Sequence, residues 1–178
     1  VKRVLVTGGA GFIGSHVVER LVDEGLEVRV LDNLSSGSLD NLAHHKDNSK
    51  VEVVIGDLKR MEDVAKTVEG MDVVFHFAAN PEVRVSAINP EIHFNENVVA
   101  TFNLLEAMRR RGVKEMVFAS SSSVYGEPDE IPDERGSSRE ARVRLRGQQG
   151  GLREPHTRLL EALRNQSRDP EVRERRGP

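Results

Sequence analysis

Apolar residues along the first 132 positions follow two alternating periods, and the alternation predicts a succession of strands and helices. Val1–Thr7 (VKRVLVT) is a short β-branched run followed by glycines, the pattern of a buried strand. Phe12, Ile13, Val17, Val18, Leu21 and Val22 recur at helical spacing, and Gly25 stands where a helix-terminating glycine is favoured. Glu27–Leu31, Val51–Ile55, Asp72–Phe77 and Lys114–Ala119 read as four further strands. Met61–Val68 reads as a short helix. Pro90 opens a long helix that runs to about Arg111, with Phe94, Val98, Phe102, Leu105 and Met108 on one face and Gly112 closing it. Ser35–Asn41 and His44–Lys50 are polar loop stretches. Strands alternating with helices favour a parallel sheet covered on both faces, so the expected fold class is α/β, a Rossmann-type doubly wound sheet cut off after about five strands.

Composition changes this picture at one place. Residues 1–132 carry 14 Lys and Arg against 21 Asp and Glu, whereas residues 133–178 carry 12 arginines against 8 acids and have no Phe, Tyr, Trp, Ile or Met. So basic and core-poor a segment offers little to bury, and an irregular tail is expected there. The whole chain has 178 residues and a net charge of −3, which gives no reason to expect nucleic acid or an anionic membrane as a partner. No apolar run approaches the ~18 residues of a membrane span. The basic pair and short apolar run at the N-terminus, followed by glycines, fit a buried strand better than a signal peptide. With no cysteine there are no disulfides or thiolate metal sites, and a cytoplasmic location is the default. The six histidines show no metal-binding spacing. The pair His44-His45 is expected to be solvated, and Arg109-Arg110-Arg111 reads as charge favoured at a helix C-terminus.

The candidate chemistry begins in TGGAGFIGS, between the first strand and the first helix. Gly8, Gly11 and Gly14 are spaced for a tight turn, for a backbone approach to a pyrophosphate at the helix N-terminus, and for close packing of helix on strand. Asp32, 18 residues beyond Gly14, ends the second strand, where a carboxylate can accept from a ribose 2′-hydroxyl and repel a 2′-phosphate. That favours NAD over NADP. The competing reading is a flexible turn beside an unrelated surface Asp.

TGGAGFIGS, DNLSSG, GDL, FHFAAN and SSSSVYG, in this order and spacing, resemble the extended short-chain dehydrogenase/reductase family. Within it the likeness is greatest to the NAD-dependent nucleotide-sugar epimerases, in particular the archaeal-type UDP-glucose 4-epimerases. The resemblance covers residues 1–132, about two-fifths of a typical member. It implies that Phe12 and Ile13 pack beside the pyrophosphate loop. Asp32, Asn33, Ser35, Ser36 and Gly37 would hold the adenosine ribose, and Asp57 and Leu58 would frame the adenine. Phe77, Ala78 and Ala79 would line the cofactor, and Asn97 would tie the long helix to the strand ends near the nicotinamide. For Asp57 the alternative is a residue capping the next helix, and for Asn97 a solvated side chain. Counting back from Tyr125, Ser121 takes the position that hydrogen-bonds the substrate hydroxyl, with Ser120 on the cofactor side. Tyr125 itself resembles a structural tyrosine of the family.

The resemblance also implies a Tyr-x-x-x-Lys pair after the fifth strand, whose lysine lowers the tyrosine pKa for acid/base work on the sugar. This chain has no lysine beyond Lys114 and no tyrosine beyond Tyr125. One extra nucleotide just after the Pro132 codon would account for that. The original codons would then straddle the present ones: Glu140-Ala141 allows only Lys or Arg, Leu145-Arg146 can read Tyr, Gln148-Gln149 gives only Ser or Asn, and Gln149-Gly150 only Lys or Arg. The shifted frame can spell K-P-x-S-V-Y-G-A-S-K-A-A, the family's missing segment. Residues 133–178 are therefore expected to be an out-of-frame tail, with the substrate domain missing, the alternative being a genuine arginine-rich tail. The function expected of the intact protein is interconversion of UDP-glucose and UDP-galactose through a 4-keto sugar. Nucleotide-sugar 4,6-dehydration and decarboxylation are the alternatives of the same family, and a non-catalytic dinucleotide-binding fragment is the alternative for this chain. Members of the family pair the long helix with the helix carrying Tyr and Lys, so a normal homodimer is not expected of this chain.

Overall fold

The computed structural model describes residues 2–80, 82 and 89–121. The chain divides into two compact units, Val1–Ala119 and Ser120–Pro178, and of the second only Ser120 and Ser121 are described. The expectations for Ser122, Ser123, Tyr125 and residues 133–178 lie outside the described residues.

The first unit is a five-stranded parallel sheet in the order β3-β2-β1-β4-β5, built from β1 (Arg3–Thr7), β2 (Glu27–Asp32), β3 (Val51–Ile55), β4 (Val73–His76) and β5 (Glu115–Phe118). Strand order reverses between β1 and β4, the switch point of a doubly wound sheet, where a crevice opens at the carboxyl ends of the strands. Alternation along each strand sorts the core into two layers. Val4, Val6, Val28, Val30 and Val73 face α1 (Phe12–Asp23) and its Val18. Leu5, Leu31 and Val74 face the opposite way, towards α2 (Met61–Val68) and α4 (Ala100–Arg111), meeting Val64, Val68, Leu104 and Ala107.

Three sequence expectations need correction. The long helix is not one regular helix: it begins as α3 (Pro90–His93), passes through a π-helical turn at Phe94–Val99 and continues as α4. Its inward face is Ala100, Thr101, Asn103, Leu104, Ala107 and Met108, while Phe94 and Phe102 are exposed. The small residues let the helix lie close on the sheet, which large apolar residues alone do not reveal. His45 is not solvated either. The end of the stretch Ser35–Asn41 and the start of His44–Lys50, both expected to be loop, belong to a 310 helix, Leu39–His45, whose Leu42 and His45 turn inward. His45 is 8% exposed, its Nε2 has no hydrogen-bond partner among the described residues, and burial, aided by neighbouring His44, holds its pKa below the ordinary value.

Candidate functional site

The glycine loop joins β1 to α1 at the switch point. Gly8 has φ +71°, and a Cβ there would lie 2.6 Å from the Ala78 nitrogen, so the segment leaving β4 crosses the loop at van der Waals distance only because the side chain is absent. A Cβ on Gly14 would run into the Gly8 carbonyl oxygen, so the first turn of α1 packs directly on the loop. Gly11 is the N-cap and lends the helix no side chain, and the first turn carries no acid. The first turn of α1 therefore places no acidic side chain of its own where an anion would meet the positive end of the helix. Phe12 and Ile13, at the start of that turn, are 79% and 63% exposed beside the loop.

Asp32 is bound into this loop. It is 8% exposed; Oδ2 accepts from the Ala10 nitrogen at 2.9 Å and Oδ1 from the Leu34 nitrogen at 2.9 Å. One carboxylate therefore ties the end of β2 to the glycine loop, and each oxygen keeps a lone pair for a ligand hydroxyl. Beyond it Asn33 Oδ1 accepts from the Ser35 nitrogen, and Leu34 has φ +58°, so the turn through Asn33, Ser35, Ser36 and Gly37 is held by short-range bonds. Gly37 lies against the Ala10 backbone, and the Ala10 carbonyl accepts from the Ser38 nitrogen and from Asn41 Nδ2. The β2–β3 connection folds back over the loop through these contacts.

After β3, Asp57 Oδ1 accepts from the Lys59 nitrogen, while the Asp57 nitrogen donates to Asp63 Oδ2. Asn33 Nδ2 reaches Asp57 Oδ2 at 3.5 Å, so the ends of β2 and β3 share one polar edge. The Leu58 side chain is buried against α2 and α4, and its carbonyl accepts from Asn103 Nδ2. Leu58 thus frames this edge through its backbone.

After β4, Phe77 and Ala78 are half-buried and Ala79 is exposed. Beneath them runs a buried chain of hydrogen bonds. The Ala78 nitrogen donates to Thr7 Oγ1 at 3.5 Å, Thr7 Oγ1 pairs with His76 Nδ1 at 2.5 Å, and His76 Nε2 pairs with Thr101 Oγ1 at 3.0 Å. Thr101 Oγ1 in turn donates to the Asn97 carbonyl at 2.6 Å. With that hydroxyl proton committed, His76 donates from Nε2 and accepts at Nδ1. Burial lowers the His76 pKa to about 4, so the ring is neutral. The Asn97 amide is fully engaged: Oδ1 accepts from the Asn80 nitrogen at 2.7 Å, and Nδ2 faces His93 Nδ1 and the Asn80 carbonyl.

The structure therefore brings Gly8, Gly11, Gly14, Asp32, Asn33, Asp57, Ala78 and Asn97 to the carboxyl ends of the strands. Ser120 and Ser121 follow β5 in the chain and are exposed. Sequence reasoning missed Thr7, His76 and Thr101, which look like ordinary strand and helix residues until β1, β4 and α4 meet. It also missed Asn41 and Glu96, whose partners are distant in sequence. Among the described residues no group of three acidic or histidine side chains could hold a metal ion, and no helix is long and apolar enough to cross a membrane.

A profile of the NAD dependent epimerase/dehydratase family matches residues 4–144. The chain belongs to that family. Among the family's curated members, the UDP-glucose 4-epimerase of Streptomyces lividans is 41% identical over 133 residues, covering 73% of this chain and 39% of the relative. Among solved structures, a UDP-galactose 4-epimerase superposes with a TM-score of 0.66 at 54% identity, over 78% of this chain and 44% of its own. The Thermus thermophilus UDP-glucose 4-epimerase, solved as a complex with NAD, gives 0.62 at 42% identity, over 72% and 42%. The chain spans about two-fifths of the length of the curated relatives it matches.

Proposed function

We propose that this chain is the cofactor-binding part of a cytoplasmic NAD-dependent UDP-glucose 4-epimerase of galactose metabolism. The reading rests on one observation above others: the Asp32 carboxylate, at the tip of β2, is bonded to the backbone of the glycine loop, and the helix that follows the loop has no acidic residue in its first turn. A diphosphate at Gly8, Gly11 and Gly14 would leave the adenosine ribose beside Asp32, Asn33 and the Ser35–Gly37 turn, with a 2′-phosphate repelled. Asp57 and the Leu58 backbone take the adenine end, and Phe77, Ala78, Ala79 and Ser120 the other, where Asn97 ties the long helix to the strand ends through its bonds to Asn80. The names of the relatives support the sugar nucleotide. NAD, when bound, supplies a hydride acceptor and donor for a sugar carbon. Ser121 orients the hydroxyl that is oxidised.

Acid/base work needs a Tyr-x-x-x-Lys pair, and the sequence after Tyr125 has neither residue type. The chain as it stands therefore binds NAD without turning substrate over, and residues 133–178 are an out-of-frame reading of the segment that carries the pair. Calorimetry of the purified chain with NAD and NADP tests the binding claim: NAD alone should bind, and NADP binding equally well would refute it. Sequencing across the Pro132 codon tests the frame. An intact reading frame one base away, giving epimerase activity when restored, is the expected result. Epimerase activity of the unaltered chain would refute the non-catalytic reading.

A further inference from the structure

The π-helical turn aims two successive side chains at one residue. An α-helix separates neighbouring side chains by about 100°, so they seldom share a target. Here Glu96 Oε2 accepts from Asn80 Nδ2 at 2.7 Å while Asn97 Oδ1 accepts from the Asn80 nitrogen at 2.7 Å. The other Glu96 oxygen lies 3.5 Å from Lys59 Nζ, which is also 3.5 Å from Asp57 Oδ2. Asn33, Asp57, Lys59, Glu96 and Asn80 thus form a continuous polar row along the carboxyl edge of the sheet. The row joins the loop after β3 to the segment after β4 across the two strands between them. From α4, Asn103 Nδ2 holds the Leu58 and Lys59 carbonyls at 3.0 and 3.1 Å, which fixes the Lys59 end of the row. π-turns of this kind concentrate at functional sites.

We propose that Glu96 is a positioning residue of the dinucleotide groove: its bridge from Lys59 to Asn80 sets the distance between the loop that takes the adenine end and the segment that takes the nicotinamide end. The inference rests on the NAD-binding reading above. A ligand spanning both ends feels that distance, and a ligand occupying the adenine end alone does not. The 178-residue chain and its Glu96→Ala and Glu96→Gln variants are titrated with NAD and with AMP, and their melting temperatures are recorded. Glu96→Ala should bind NAD about tenfold more weakly, the scale of one lost charge-assisted hydrogen bond, with AMP affinity within about twofold of wild type. Glu96→Gln keeps an oxygen for Asn80 but loses the charge facing Lys59, and should fall between the two. Equal losses for NAD and AMP, or an unchanged NAD affinity, overturn the proposal. If Glu96→Ala does not fold, unchanged NAD affinity in Glu96→Gln overturns it. A wild-type chain that binds neither ligand overturns the NAD-binding reading and this inference with it, whereas wild-type binding with no effect of the variants overturns the positioning role alone.

Discussion

Replacing Asp32 by Asn tests the junction between the sheet and the glycine loop with almost no change of shape. Each carboxylate oxygen accepts one backbone N–H at 2.9 Å, from Ala10 and from Leu34. An amide has one oxygen, so either orientation leaves its NH2 group pointing at an N–H donor. One hydrogen bond to a charged group is lost, at about 1.5–3 kcal/mol, and the surviving one drops from charged to neutral, at roughly a further 1 kcal/mol. The expected loss is therefore about 3 kcal/mol in urea unfolding followed by far-UV circular dichroism, with a melting temperature lower by on the order of 10 °C. Asp32→Ala should cost about as much, since both donors are then unpaired. An Asp32→Asn variant within about 0.5 kcal/mol of wild type would refute the view that this carboxylate holds the loop.

Gly14→Ala puts a methyl group into the Gly8 carbonyl oxygen with only backbone around it to yield, and should lower soluble yield and melting temperature more than any surface glycine change. The folded His76 pKa of about 4 lies below its ordinary value of 6.5, so the unfolded chain binds the extra proton. Its contribution, on the order of 3 kcal/mol, is present above pH 6.5 and is lost as pH falls from about 6.5 to about 4. Urea midpoints measured across that range should show the slope in wild type and lack this part of it in His76→Asn. Arg29 Nη1 donates to the Thr67 and Glu69 carbonyls at the end of α2, at 2.9 and 3.0 Å, from a side chain 14% exposed. Arg29→Met should cost about 1–2 kcal/mol in the same denaturation assay, and a neutral result would show that those carbonyls find water instead.

The strands were legible from short β-branched runs: VLV in β1 and DVVFHF at β4 are near-continuous apolar stretches, while EVRVL at β2 alternates, and none needs knowledge of its partners to be seen. The glycine loop was legible because glycine spacing encodes backbone approach directly. The inward face of α4 was legible only in part: Met108 is buried as its spacing suggests, but Ala100, Thr101, Asn103 and Ala107 share that face with Leu104, while Phe102, and Phe94 in the π-turn before it, are exposed. His45 hid in a polar stretch because two inward positions in a 310 helix leave no usable period. Glu96 and Asn80 could not be paired from sequence, since the π-turn shifts the register that a helical wheel assumes.

The pairing register gives the cradle a birth order. β1 lies between β2 and β4, with Val4 matched to Val28 on one flank and to Val73 on the other. A chain emerging from the ribosome completes the first flank early but must wait some seventy residues for the second, and loop closure over that separation is slow. Until Ala78 emerges to cross Gly8, the glycine turn has no roof. Closure of the turn therefore depends on a segment made well after the glycine motif itself.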